Sequence, residues 1–267
     1  MESANESNFL TAERRDYGGW DMALYAMGDM HLAFSVDKPM DRFGKVWVKH
    51  EEKIAKNCGR MLQDGDTFVI TGDHSWGRKL PEAEKDLDFI AELPGRKILL
   101  RGNHDMFWDA KKTPSLNEMY EPRLCFLQNN YYSYRDYALV GTKGYTFEGP
   151  FFINLRGEIV GWNEDDEKKA QKLVKREAEK LRISFEAAKK DGFKKYIMFL
   201  HYPPTNVLEK ESIFTQMAEE YGAEHVVYSH CHGEARFGDS IRGMHHGIRY
   251  HLVSGDYLNF KPEKILP

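Results

Sequence analysis

Cysteine is scarce in this chain. Only Cys58, Cys125 and Cys231 occur among 267 residues, and no two stand in a C-x-x-C spacing. An odd count without paired spacing argues against a disulfide framework or a thiolate metal knuckle, and it fits a reducing, cytoplasmic location. Long apolar runs are missing as well. None approaches the roughly 18 residues that span a bilayer, and the opening M-E-S-A-N-E-S-N has no signal-peptide core, so no membrane attachment is expected. Charge of one sign is not in excess: the formal net charge is -4, and Lys and Arg are interleaved with Asp and Glu. Without a basic block, extended binding to nucleic acid is not expected. Repeats, low-complexity tracts and an interdomain linker are also wanting, so residues 1–267 read as one domain. Residues 1–20 read as a weakly ordered lead-in, with Tyr17 and Trp20 covering a sheet edge.

What the chain does have is histidine, eleven in all, several of them next to Gly or Asp after apolar runs. The stretch Arg96 to Asp105, R-K-I-L-L-R-G-N-H-D, shows the pattern best. Ile98, Leu99 and Leu100 read as a strand buried on both faces, Gly102 stops it, and Asn103, His104 and Asp105 follow at its carboxyl end, where open α/β sheets place their ligands. Earlier in the chain, Ala23 to Met27 reads as a strand ending in Gly28-Asp29-Met30-His31, and Thr67 to Thr71 as another ending in Gly72-Asp73. Helical spacing over Lys45 to Leu62 and over Pro81 to Leu93 separates the three strands, giving the βαβαβ rhythm of a parallel sheet. Short Tyr-rich strands at Cys125 to Leu127, Tyr131 to Tyr134 and Tyr137 to Gly141 read as an antiparallel meander. Asn163 to Asp191 reads as a long charged helix whose lysines form a solvated face of ion pairs. Lys195 to Leu200 and Glu224 to Tyr228 are further buried strands, ending in His201-Tyr202-Pro203 and in His230-Cys231-His232. Between them Ser212 to Tyr221 is helical, and Arg249 to Ser254 alternates like an exposed strand.

Five strand ends therefore supply Asp29 with His31, Asp73, Asn103 with His104, His201, and His230 with His232. Carboxylate, amide and imidazole together suit Zn, Mn, Fe or Co. Two such ions about 3.5–4 Å apart need a shared carboxylate and can clamp both oxygens of a phosphoryl displacement. Asp73, on the middle of the first three strands, is the expected bridge. The alternation in Asp29-Met30-His31 and His230-Cys231-His232 places both ligands of each pair on one side of an extended segment, turning Met30 and Cys231 into the packing.

The order D-x-H, G-D, G-N-H-D, H-x-P, H-x-H, running from Gly28 to Gly233, resembles the calcineurin-like metallophosphoesterase superfamily. The resemblance implies an α/β fold, a two-sheet sandwich flanked by helices (αββα). It implies one metal held by Asp29, His31, Asp73 and His232 and a second held by Asp73, Asn103, His201 and His230. It also implies that a hydroxide between the two ions attacks phosphorus in line, with His104 donating a proton to the departing oxygen or hydrogen-bonding the phosphoryl oxygen. The activity so implied is hydrolysis of a phosphodiester or phosphomonoester of a small molecule or nucleotide. One departure bears on substrate: the protein phosphatases of the superfamily read G-D-x-x-D-R-G, whereas G-D-H-S-W-G-R here puts Arg78 one place late. The second histidine of the H-x-H pair, His232, points instead to the phosphodiesterase, nuclease and pyrophosphatase branches. A catalytically silent scaffold of the same fold, or a nuclease, are the alternative readings.

Several neighbours have plainer readings. Strand alternation turns His74 away from Asp73, and Trp76 and Trp108 either wall the pocket or pack in the core. Cys231 is a small buried thiol. His251 is allowed one accessory contact, His245 and His246 read as an exposed turn, and Asp256 reads as a turn residue.

Overall fold

The computed structural model describes residues 22–146, 152–153, 159–160 and 164–267; the expected roles of Tyr17 and Trp20, the lead-in 1–20 and Asn163 lie outside these residues. The first half of the chain alternates β1 (Leu24–Met27), α1 (His50–Met61), β2 (Thr67–Ile70), α2 (Leu80–Ala91), β3 (Arg96–Leu100), α3 (Thr113–Tyr120) and β4 (Leu124–Leu127). Then come β5 (Tyr131–Tyr134), β6 (Tyr137–Thr142), the short pair β7 (Phe152–Ile153) and β8 (Ile159–Val160), and α4 (Glu164–Lys190). The chain ends with β9 (Lys195–Leu200), α5 (Ile213–Tyr221), β10 (Ala223–Tyr228), β11 (Gly243–His245), β12 (Ile248–Leu252) and β13 (Glu263–Leu266).

Two mixed sheets form, ordered β13-β1-β2-β3-β4 and β11-β12-β10-β9-β6-β5. Within the first, β1 to β4 run parallel; within the second, β12, β10, β9 and β6 do. Alternation along each strand divides the core into three layers. Leu24, Ala26, Val69, Ile98, Ile197 and Phe199 point between the sheets. Tyr25, Met27, Phe68 and Ile70 point outward under Ile54 and Cys58 of α1 and Leu87 of α2. On the opposite face Tyr196, Met198 and Leu200 pack against Leu181 and Phe185 of α4 and Phe214 of α5. With both of their faces covered, β1, β2, β3, β4 and β9 read as buried apolar runs. The fold is the α/β sandwich expected.

Four details differ from the expectations. The helix expected from Lys45 begins at His50, because Lys49 sits at φ 52°, after a short 3-10 turn at Lys45–Trp47 that tucks Trp47 into the core. The meander is broken: β4 pairs parallel with β3, while β5 and β6 form a hairpin in the other sheet, so the chain crosses between layers after Leu127. The strand β12 is mostly buried rather than exposed, since it lies parallel to β10 with β11 covering its outer edge. Finally, α3, β7, β8, β11 and β13 have no counterpart in the sequence reading; β11 takes in His245, leaving only His246 in the expected turn, and β13 closes the first sheet antiparallel to β1.

Candidate metal centre

The carboxyl ends of β1, β2 and β3 meet those of β9 and β10, and the loops leaving them are stitched together through the backbone. Asp29 N–H donates to Gly72 O (2.9 Å), His31 N–H to Asp73 O (2.8 Å) and Ser229 N–H to His201 O (3.1 Å). The carbonyl of Thr71 accepts from both Ser229 Oγ and His201 Nδ1, each at 2.9 Å, which ties one sheet to the other beneath the site. The ligand pairs are not on extended backbone as alternation implied. Asp29, His31, Asp73 and His230 all take positive φ (58°, 46°, 52° and 70°), a left-handed conformation that Asp and His visit more readily than most residues. The turns so formed aim successive side chains inward while Met30 and Cys231 stay buried in the packing.

Crowding at the turns leaves no choice of residue at two glycines. A Cβ at Gly102 would lie 2.1 Å from Asp73 Oδ1 and 2.2 Å from Asp73 N, and one at Gly72, at φ 102°, would lie 2.6 Å from His201 Nδ1.

The structure brings two groups of side chains together around Asp73. Ligand atoms of Asp29, His31, Asp73 and His232 all lie within 4.8 Å of one another, and so do those of Asp73, His201 and His230. His31 Nε2 faces His232 Nε2 at 3.2 Å; Asp73 Oδ2 lies 3.4 Å from His201 Nε2 and 3.7 Å from His31 Nε2; Asp29 Oδ1 lies 3.6 Å from His232 Nε2. Two ligands each about 2.1 Å from one ion stand roughly 3–3.5 Å apart at octahedral to tetrahedral angles. Most of these separations are too long for hydrogen bonds and close to that spacing. Asn103 Oδ1 adjoins the second group, 2.7 Å from His201 Nε2.

The donor chemistry fits a pair of cations. Asp29 Oδ1 and Asp73 Oδ2 are buried and have no hydrogen-bond partner among the described residues, although such atoms are normally satisfied. Two imidazoles are set with one nitrogen outward and the other inward. His201 donates through Nδ1 to Thr71 O, and His232 through Nδ1 to Asp256 Oδ1 (3.2 Å), the arrangement that leaves Nε2 of a ligating histidine for a metal. Electrostatics in the metal-free protein show the same crowding. Burial opposes ionisation of Asp73, yet the imidazoles of His201, His31 and His104 together hold its carboxyl well below the usual range. Burial, helped by the neighbouring histidines, holds His31 well below the ordinary imidazole value despite Asp73. For His232 burial is outweighed by Asp29, Asp256 and Asp73, which lift it to about 9.

Two residues with a part in this geometry were missed or misread. Asp105 is fully buried and accepts from Gly102 N (2.7 Å), His74 N (2.8 Å), Asp73 N (2.9 Å) and His74 Nδ1 (2.9 Å), holding the β2 and β3 turns against each other. The signal was its place as the last residue of G-N-H-D. Asp256 is not a simple turn residue: it accepts from His232 and from Gly233 N (2.8 Å), and only its fold contact with the loop after β10 reveals that. His251 makes no contact here; it hydrogen-bonds His225 and Glu263 instead. His74 lies behind Asp73 on Asp105, and Trp108 is a core residue over Phe126. Trp76 does wall the site, stacked on His31 at 5.0 Å and tilted against His104 at 4.3 Å. His104 itself is anchored by its N–H on Asp73 Oδ1 (2.8 Å), with its ring 5.5 Å from that of His31. Asn103, His104, His230 and His232 are only partly buried, so the site opens to solvent on their side.

The family model for calcineurin-like phosphoesterases matches residues 22–234. The chain therefore belongs to the calcineurin-like phosphoesterase family. Among solved structures it is similar to a protein of unknown function from Aquifex aeolicus, with 15% identity over 91% of this chain and 95% of that one, TM-score 0.45. It is also similar to TT1561 of Thermus thermophilus, with 10% identity over 78% of this chain and 81% of that one, TM-score 0.46. No curated protein matches the chain significantly. Among the described residues, no helix is long and apolar enough to cross a membrane.

Proposed function

We propose that the protein is a metal-dependent phosphoric ester hydrolase that acts on a small phosphate ester, with two divalent or trivalent ions of the Mn, Zn, Fe or Co type. In this reading Asp29, His31, Asp73 and His232 hold one ion, and Asp73, Asn103, His201 and His230 the other. When bound, such a pair supplies Lewis acidity to the phosphoryl oxygens and an acidified water for displacement at phosphorus. The chain's own residues do the rest. Asp73, fixed by its backbone bonds, keeps the two sets of ligands in register. His104, held over Asp73 by its N–H and against Trp76 by its ring, presents an imidazole at the open side, where it gives a proton to the departing oxygen.

The observation that carries this reading is the pair of buried, unpartnered carboxylate oxygens, Asp29 Oδ1 and Asp73 Oδ2, each surrounded by imidazole nitrogens. A silent scaffold would have no use for a complete donor set of this cost. The test is release of nitrophenol from bis-p-nitrophenyl phosphate and p-nitrophenyl phosphate by protein loaded with Mn, Zn, Co or Fe, with bound metal measured by mass spectrometry. Two ions per chain and turnover lost in Asp73→Ala and His201→Ala are expected. A folded protein that is inert with every metal, or one that holds less than stoichiometric metal, refutes the reading.

A further inference from the structure

Beside the second metal group lies a collection of positive charge that the linear sequence does not show. Arg101 stands between β3 and Asn103, and its Nε is buried without a hydrogen-bond partner among the described residues. Lys143 follows β6, and its carbonyl accepts from the N–H groups of His201 (3.1 Å) and Tyr202 (2.9 Å), which fixes it to the loop that carries His201. Its ammonium lies 5.1 Å from the centre of the Tyr202 ring and 5.7 Å from that of Tyr145. The Tyr202 ring in turn lies 4.2 Å from that of His230, so Lys143 is one aromatic side chain away from the metal group.

The counter-charge on this side is already spent. Lys143 is within electrostatic reach of Arg101, Lys180 and Arg176, with Glu177 as the opposing carboxylate. Glu177 is buried, and its Oε1 lies 2.6 Å from Lys180 and 3.8 Å from Arg176 while its Oε2 accepts from Thr142 (2.8 Å). Arg101 and Lys143 form no ion pair with a carboxylate among the described residues, although both are partly buried. Asp109, which also feels Arg101, is solvent-exposed. Leaving two half-buried cations without a partner is costly unless an anion completes the arrangement. A guanidinium fork and an ammonium together are a pairing suited to phosphate.

We propose that Arg101 and Lys143 form a subsite for a second phosphate group of the substrate, next to the phosphate that the metal pair engages, with Tyr202 and Tyr145 as its aromatic wall. The substrate class is then a small molecule carrying two neighbouring phosphates, such as a nucleoside diphosphate or a bisphosphate. This rests on the hydrolase reading for the position of the first phosphate, but the binding measurement in EDTA that tests it does not.

The test compares adenosine diphosphate with adenosine monophosphate, which differ by one phosphate. Binding is measured by calorimetry on the full chain in EDTA, and inhibition of bis-p-nitrophenyl phosphate turnover on the metal-loaded protein. A charge-assisted phosphate contact corresponds to about a tenfold or greater difference in affinity. The diphosphate is therefore expected to bind at least about tenfold tighter than the monophosphate. That advantage disappears in Lys143→Met, which keeps the apolar stem against the tyrosines, and survives in Lys143→Arg. No measurable binding in EDTA, equal affinity for the two nucleotides, or an advantage that persists in Lys143→Met overturns the subsite. So does a single-stranded oligonucleotide that outcompetes the diphosphate. If the loaded protein hydrolyses nothing while the advantage in EDTA tracks the charge at residue 143, the hydrolase reading fails and the subsite stands.

Discussion

Replacing Asp105 by asparagine is an isosteric change outside the proposed ligand set, yet it is expected to dismantle the site. Oδ2 of Asp105 accepts from Asp73 N, Gly102 N and His74 Nδ1, and Oδ1 accepts from His74 N at 2.8 Å and Ser75 N at 3.4 Å. An amide has one oxygen where the carboxylate has two, so in either orientation its NH2 group points at donors. The orientation that costs least still leaves the N–H groups of His74 and Ser75 facing it; the other strands three donors, two of them from residues that frame the metal groups. A buried donor left unsatisfied costs about 1–3 kcal/mol, and loss of the carboxylate charge weakens the bonds that remain. The expected loss is therefore roughly 2–6 kcal/mol, a large fraction of the stability of a typical domain. Urea unfolding of Asp105→Asn beside wild type, with metal content and activity measured on the same samples, reads all three consequences. A midpoint within experimental error of wild type, together with full metal content, would refute the claim that Asp105 holds the two turns together.

Asp256→Ala is expected to leave the fold intact but to weaken metal binding about 10–100-fold, the usual cost of losing the partner that orients a ligating histidine; a competition titration with a chelator measures it. In the metal-free protein the same substitution lowers the His232 pKa from about 9, seen by NMR titration of the ring. Because that value is raised above 6.5, the stability supplied by the pairing is complete below the unfolded value and is lost as pH rises through about 9, so wild type and variant converge in stability at high pH. The three thiols are buried, and burial pushes Cys58 up to about 12. A thiol-reactive disulfide reagent should find none of them in the native protein and all three after unfolding.

How much of this was legible in the sequence depended on whether the signal was local. Strands β1, β2, β3, β9 and β10 are short apolar runs ended by Gly or His, so their positions and the residues at their ends could be read directly. The break in the meander could not, because β4 is as apolar as its neighbours and only pairing with β3 removes it from β5. Alternation failed at Asp29 and His31 for a similar reason: a period of two assumes extended backbone, and positive φ replaces it with a tight turn. The role of Asp256 depends on a contact across 24 residues, and the grouping of Arg101 and Lys143 on two sheets meeting. The charged face of the long helix α4 reads as solvated ion pairs, yet Glu177 in its middle is buried and accepts from Thr142, an exception that charge spacing alone does not reveal.

The left-handed residues show what the fold is organised to hold. Ten non-glycine residues of the described chain have positive φ, and four of them, Asp29, His31, Asp73 and His230, belong to the two clustered groups. Each such residue costs of order 1 kcal/mol or more and persists only where its surroundings over-determine it. Here they do, through the bonds from Asp29 to Gly72 and from His31 to Asp73 and through the Thr71 carbonyl that joins the sheets. A chain selected for stability alone would place glycine or asparagine at these turns and keep carboxylates and imidazoles out of the junction. That the strained positions and the unpartnered carboxylates coincide means that one constraint accounts for both. The turns are bent to converge donors on a common point, and the three apolar layers supply the stability that makes the bending tolerable.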